Sequence, residues 1–214
     1  KKRISLSLII PTFNEEKNIH NIKCNIKLMN ANEVIIVDGN SLDKTRFFLK
    51  RYILLSTKPS RGAQLDLGAK KSKESWLFFL HADTTLNSEN LTDVLNFISH
   101  NDFYRIAYFR LKFKSTNFMS YFIAKWANLR TSIFKLPFGD QCLIISKHYY
   151  SKLGGFANIG KMEDMELMLK IPRKNKVFLC SYVCTSFRKY RKNGILKQGI
   201  KNLFCQISFY LNAK

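Results

Sequence analysis

Apolar residues fall in short dense runs, and the polar stretches between them carry a helical period, so that two patterns alternate along the first hundred residues. Ile4-Ser-Leu-Ser-Leu-Ile-Ile10 is an apolar, β-rich run closed by Pro11, which predicts a buried strand. Thr12-Phe-Asn-Glu15 carries a Ser/Thr-x-x-Glu capping signature, and Ile19, Ile22, Ile26 and Met29 follow at helical spacing, which predicts a helix with one apolar stripe. The alternation repeats as a strand over Glu33–Asp38, a helix over Leu42–Lys50, a strand over Tyr52–Leu55, a helix over Arg61–Lys73 and a strand over Trp76–Leu80. Strands alternating with helices predict βαβ units, and fully apolar strands predict a mostly parallel sheet covered on both faces. The fold class is α/β, an open sandwich with helices on both faces of the central sheet.

Beyond residue 88 the pattern loosens. It predicts a helix over Ser88–His100, a strand over Tyr104–Phe113 and an amphipathic segment over Asn117–Phe134. A loop, Leu136-Pro-Phe-Gly-Asp-Gln141, precedes a short strand over Cys142–Ile145 and a short helix over Ser146–Leu153. Gly154-Gly155 marks a turn, Met162–Lys170 reads as helix, and VFLCSYVC at 177–184 as strand. The segment from Arg188 to Lys214 mixes Lys and Arg with Ile, Leu, Phe and Tyr, a basic amphipathic segment most of which is compatible with a helix.

In an open α/β sheet the ligand crevice lies outside the carboxyl ends of the strands, so the residues just after each strand have a prior claim on function. Here those positions are polar. The first strand ends in Pro11-Thr12-Phe-Asn-Glu15-Glu16, the second in Asp38-Gly39-Asn40-Ser41, and WLFFL in His81-Ala-Asp83. Singly, each has a local explanation as a helix cap, a turn or a loop start. Together they point to one composite site. A single carboxylate at a strand end suits a hard divalent cation, because Mg²⁺ keeps several waters and takes further oxygens from a substrate diphosphate. Neither Gly-x-Gly-x-x-Gly nor Gly-x-x-x-x-Gly-Lys-Ser/Thr follows the first strand, which argues against dinucleotide-binding and P-loop folds.

Composition sharpens this reading. The 214 residues are 46% hydrophobic and 24% charged, enough for one folded domain. The 36 Lys+Arg against 15 Asp+Glu give a formal charge of +21, which favours anionic partners: nucleic acid, phosphorylated small molecules or an acidic membrane face. Five cysteines without a Cys-x-x-Cys pair argue against a disulfide framework and fit a reducing cytosol. No apolar run approaches the ~20 residues that span a bilayer, and the N-terminus lacks the apolar core of a signal peptide. The expected location is cytoplasmic, with the inner membrane face as a variant of it.

The ordered motifs resemble the family 2 glycosyltransferases. LIIPTFNEE at 8–16 resembles that family's opening strand and loop, EVIIVDGNSLDKT at 33–45 its Val-Asp-Gly-x-Ser-x-Asp-x-Thr element, and WLFFLHAD at 76–83 its Asp-x-Asp element. FGDQ at 138–141, GGF at 154–156 and MEDMEL at 162–167 follow in order. With RGAQLDLGA at 61–69 and LHADT, the order is similar to a small bacterial subgroup known as arsenosugar-biosynthesis or radical-SAM-associated glycosyltransferases. The resemblance implies a GT-A fold, with residues 1–100 as a nucleotide-binding half, 101–187 as an acceptor and catalytic half, and 188–214 as the basic segment.

The resemblance also assigns roles. Pro11, Thr12, Glu15, Asp38, Arg61 and His81 would line the nucleotide sugar, of UDP or GDP type, and Asp83 would hold Mg²⁺ or Mn²⁺. Asp164 would be the general base of an inverting transfer, supported by Glu163. Asp140, Gln141, Arg188 and Lys189 would lie on the acceptor or diphosphate side. The acceptor is open, a lipid-linked one with peripheral contact to an anionic membrane being one reading. The chain departs from the family pattern at His81, the first acidic position of Asp-x-Asp, at Asp66 for Asn, at Asn40 for Gly or Asp, at Ser132 for Arg, and at Tyr190 for Trp. Two competing readings are nucleotidyl transfer and a basic nucleic-acid-binding protein. PTFNEE is not the basic Gly-rich loop the first would want, and no nucleic-acid motif supports the second, so no nucleic acid is expected.

Overall fold

The computed structural model describes residues 5–100, 102–137, 139–159 and 162–187. In chain order the elements are β1 (Leu6–Thr12), α1 (Ile19–Met29), β2 (Glu33–Asp38), α2 (Thr45–Leu49), β3 (Ile53–Ser56), α3 (Arg61–Lys71) and β4 (Trp76–Phe79). They continue with α4 (Ser88–His100), β5 (Ile106–Phe113), α5 (Phe118–Phe134), β6 (Leu143–Ser146), α6 (Lys147–Lys152), α7 (Glu163–Leu169) and β7 (Lys176–Thr185). The strands form one seven-stranded sheet in the order β3-β2-β1-β4-β6-β5-β7. The pairs β3–β2, β2–β1, β1–β4 and β5–β7 are parallel, and β6 alone runs antiparallel to its neighbours β4 and β5.

The two-residue period of β1 explains why helices cover both faces. Leu8 and Ile10 point to one side, where they join Ile22 and Met29 of α1 and Val94 and Phe97 of α4. Ile9 points to the other, with Leu65 and Ala69 of α3, Tyr150 of α6, and Leu167 and Met168 of α7. Each such fully buried aliphatic or aromatic side chain stabilises the fold by about 1.5–3 kcal/mol. The sheet and its two helix layers are the α/β sandwich read from the alternation.

Two local expectations are corrected. β1 does not close at Pro11 but runs through it to Thr12. Leu80 donates its N–H to the Ile9 carbonyl, so by the strand period the Pro11 nitrogen also faces the β4 side, beyond the Leu6–Ile9 stretch that pairs with β4. No ladder bond is lost there. The Thr12-x-x-Glu15 capping box is not formed either. Thr12 is a strand residue, a 3-10 turn at Glu16–Asn18 intervenes, and neither Glu15 nor Asn18 makes a side-chain capping bond.

Helix α3 lies close on the sheet because of Gly68. A Cβ there would stand 2.5 Å from Ile9 Cγ2 and 3.2 Å from Val37 Cγ2. Both neighbours are β-branched and fully buried, so neither can rotate away. Gly68→Ala should destabilise the protein by about 1–3 kcal/mol through overpacking, despite alanine's better helix propensity. Chemical denaturation checks this; a stabilised variant would mean that α3 sits further from the sheet. Arg188, Lys189, Tyr190 and the whole basic segment 188–214 lie outside the described residues.

Candidate functional site

The carboxyl ends of β1 and β2 are welded together by side chains. Asp38, fully buried, accepts from the Thr12 hydroxyl at 3.0 Å, the Ser41 hydroxyl at 2.6 Å and the Ser41 N–H at 2.8 Å, and Arg46 Nε lies 3.9 Å away. Gln64 reaches from α3 to donate to the carbonyls of Thr12 and Val37, both at 2.8 Å. Thr12 and Asp38 thus hold the rim from inside. The surface above them is offered by residues of the two loops. Asn14 and Asn40 both adopt positive φ, and the Asn14 N–H donates to Ser41 Oγ. Glu15 binds Thr45 through its N–H and Asn18 through its carboxylate.

After β4 the chain turns, and α1 fixes the turn. Asn21 donates to the carbonyls of Ala82 and Thr84, Asn25 donates to Thr84 and accepts from the Leu86 N–H, and Thr85 forms a two-bond bridge to Cys184 at the end of β7. This presents half-buried Asp83 at the sheet's edge, where Thr185 Oγ1 lies 3.4 Å from its carboxylate. His81 points into the crevice with its Nδ1 3.6 Å from Asp140 Oδ1. That is too long for a hydrogen bond. Burial, and then the nearby Arg61 charge, push the His81 pKa below its ordinary value, against the pull of Asp140, Asp83 and Asp164. Its buried Nε2 has no hydrogen-bond partner among the described residues.

A cluster of opposite charges closes the other side. Arg61, the first residue of α3, binds Glu163 through Nε and Asp164 Oδ2 through Nη2, the latter at 2.9 Å. Glu163 and Asp164 are buried, in the first turn of α7, where acids are favoured by the exposed N–H groups. Asp164 Oδ2 also accepts from the Gly139 N–H at 2.8 Å, and Oδ1 from the Met165 N–H at 2.9 Å. Gly139 has no room for a side chain: a Cβ would lie 2.7 Å from His81 Nε2 and 3.1 Å from Arg61 Nη1. His81, Arg61, Gly139, Glu163 and Asp164 line one cleft, floored by Phe79 and Phe156.

Asp140 stands beside this cleft with about half of its side chain exposed, whereas the side chain of Gln141 points into the core. Gln141 donates to the Phe109 carbonyl and accepts from the Thr131 hydroxyl, so it ties the 136–141 loop to β5 and α5. Asp66, the departure from the family's Asn, accepts from the Tyr150 hydroxyl at 3.0 Å, and Tyr150 accepts from the Phe156 N–H at 2.9 Å. Gly155, at φ +69°, passes so close that a Cβ would lie 2.6 Å from Asp66 Oδ1. These contacts aim Phe156 into the cleft.

Sequence reasoning missed Gln64, Asn21 and Asn25. The two asparagines sit four apart beside the apolar stripe of α1, and that spacing was the available signal. Among the described residues no three His, Cys, Asp or Glu side chains converge as a closed metal cage. Asp83, only weakly engaged, and His81, with its unpartnered Nε2, are an incomplete donor set. That fits a divalent cation completed by oxygens of a bound diphosphate and by water.

Comparison with known proteins agrees with this geometry. Residues 7–150 match the model described as glycosyl transferase family 2. The chain is 24% identical over 180 residues to an uncharacterized glycosyltransferase of Haemophilus influenzae, covering 78% of this chain and 61% of that protein. It therefore spans about three-fifths of that relative's length. Among solved structures it is similar to TarS 1-349 of S. aureus in complex with UDP-GlcNAc, with TM-score 0.62, 17% identity, and coverage of 86% of this chain and 58% of that one. It is also similar to the mannosyltransferase PcManGT from Pyrobaculum calidifontis in complex with GDP-Man and Mn²⁺, with TM-score 0.63, 16% identity, and coverage of 95% and 65%. At these identities the structural matches establish the GT-A fold.

Proposed function

We propose, from the premise that this chain belongs to glycosyl transferase family 2, that it moves a sugar from a nucleoside diphosphate donor to an acceptor hydroxyl with inversion at the anomeric carbon. The observation that carries this reading is the cleft that Asp164, held by Arg61 and Gly139, shares with His81, two residues before Asp83 in the turn after β4. The UDP-GlcNAc and GDP-Man complexes of the structural relatives support a UDP or GDP sugar as donor. The motif order RGAQLDLGA and LHADT supports membership of the small bacterial subgroup named above. A cytoplasmic site of action and an acceptor borne on lipid complete the proposal.

An alcohol is a poor nucleophile until a base takes its proton in the transition state. Asp164 supplies that base: the acceptor proton passes to its carboxylate as the acceptor oxygen bonds to the anomeric carbon and the bond from that carbon to the diphosphate breaks. Three donors to Asp164, from Arg61, Gly139 and Met165, fix which lone pairs remain to meet the acceptor. Arg61 also offers positive charge near the departing diphosphate. A divalent cation held at Asp83 would neutralise the diphosphate's growing charge. Phe79, Phe156 and Leu65 make the cleft wall apolar, which limits water's access to the anomeric carbon.

Thermal unfolding with UDP-, GDP- and dTDP-sugars, each with and without Mn²⁺, tests the donor side, because a ligand bound only by the folded state raises its stability. We expect one nucleotide class to raise the midpoint, and more so with metal. No response to any of them would overturn the reading. In the same assay His81→Asp should tighten the metal-dependent donor response by about tenfold, since a carboxylate adds a hard oxygen beside Asp83. An unchanged metal requirement would place the side chain at 81 away from the donor.

A further inference from the structure

We propose that α5 is a docking helix that lies on an anionic phospholipid surface. The helix is inverted relative to an ordinary surface helix. Its inward stripe is small or polar: Ser120, Ala124, Asn128 and Thr131. Asn128 zips it to β5 by exchanging hydrogen bonds with the backbone N–H and carbonyl of Leu111, and Thr131 donates to Gln141. Its outward face holds the large apolar side chains. Phe118, Tyr121, Phe122, Trp126, Leu129 and Ile133 stand between half and nearly three-quarters exposed. Most of them recur at spacings of three or four, so they form one stripe rather than scattered apolar residues.

The surroundings select the occupant. From Phe103 to Gly139 the chain carries seven Lys and Arg and no Asp or Glu. Lys112, Lys114 and Lys125 are exposed, and Arg173, also exposed, donates to the Ile133 carbonyl at the far end of α5. An apolar, aromatic face with basic residues around it matches the boundary between acyl chains and anionic headgroups, where Trp, Tyr and Phe insert and Lys meets phosphate. The 17 residues of α5 extend about 25 Å. No helix among the described residues is long and apolar enough to cross a membrane, so α5 would lie in the surface plane. Three residues past its end comes Pro137, which lines the catalytic cleft, and then Gly139, which holds Asp164. A docked α5 brings that cleft to the bilayer surface, where an acceptor carried on a lipid would arrive. This last consequence rests on the proposed transfer reaction, whereas the docking itself does not.

The test uses the full chain with vesicles of phosphatidylglycerol mixed with phosphatidylcholine, and of phosphatidylcholine alone. The chain has two tryptophans, Trp76 in the core and Trp126 on the stripe, so emission reports on α5 directly. We expect co-sedimentation with the anionic vesicles, a blue shift of emission and its quenching by brominated acyl chains. Phe118→Ser/Phe122→Ser/Trp126→Ser should weaken partitioning by about tenfold or more, with an unchanged circular dichroism spectrum and unchanged donor-induced thermal shift. Binding by this variant as tight as the wild type would overturn the proposal, because the attachment would then lie elsewhere. Wild-type binding without a blue shift would do so too. So would a lipid-free dimer that the variant dissociates, since the stripe would then be covered by a second copy. Loss of transfer activity with vesicle binding intact would count against the transfer reading and leave docking standing.

Discussion

Asp164→Asn should slow sugar transfer by about 10²–10⁴-fold while leaving the donor-induced rise in thermal midpoint nearly intact. The amide keeps the size of the carboxylate, and its oxygen can still accept from Arg61 Nη2 and the Gly139 N–H, the two donors that meet Oδ2. What it loses is the ability to take the acceptor's proton. Its NH₂ would also face the Met165 N–H, donor against donor, so a modest stability loss accompanies the kinetic one. The two effects separate experimentally: steady-state transfer reports the base, and the thermal shift with donor reports whether the proposed donor side beside His81 and Asp83 has survived. A variant that transfers sugar at the wild-type rate would remove Asp164 from the role of base, whatever its hydrogen bonds.

That experiment leans on residues of unequal visibility in the chain. The sheet was legible because β1, β2 and β4 each carry a dense apolar run, residues 8–10, 34–37 and 76–79, which is what a strand covered on both faces requires. The carboxyl-edge cluster was legible for the same reason, since each apolar run stops at a polar residue. What the sequence does not reveal is which polar side chain faces the crevice and which faces the core. Gln141 and Asp140 are adjacent, yet one is spent on Phe109 and Thr131 and the other is half exposed beside His81. Thr12 and Glu15 match a capping box by spacing alone, but Asp38, 26 residues away from Thr12, outcompetes the helix for the Thr12 hydroxyl. Local motifs lose to partners that only the sheet register brings near. The register pairs Thr12 directly with Asp38, and no local window contains that fact.

Arg61→Met should cost about 1.5–3 kcal/mol of stability and depress transfer as well. Arg61 is separated from Glu163 by 102 residues and binds Glu163 and Asp164 at the start of α7, so its loss leaves these two carboxylates in a poorly solvated cleft without the guanidinium that balances them. Removing one member of a buried ion pair typically costs about 3–5 kcal/mol. The lower figure follows because the Arg61 side chain is 39% exposed, and water would take over part of its role. For a chain of this size the loss corresponds to a midpoint drop of roughly 3–12 °C. A double-mutant cycle decides whether the charge cluster or mere packing is responsible. Glu163→Gln removes one of the two charges that Arg61 balances, so the pair Arg61→Met/Glu163→Gln should be more stable than the sum of the single losses predicts, by about 1 kcal/mol or more. Additivity within about 0.5 kcal/mol would mean that Arg61 acts by packing alone. The kinetic readout then gains its meaning. If the cycle shows coupling, Arg61 spends its charge on holding Asp164 in the first turn of α7, and the transfer rate should fall in kcat with KM for the donor changed less. A variant that instead raises KM with kcat preserved would shift Arg61 from positioning the base to binding the diphosphate.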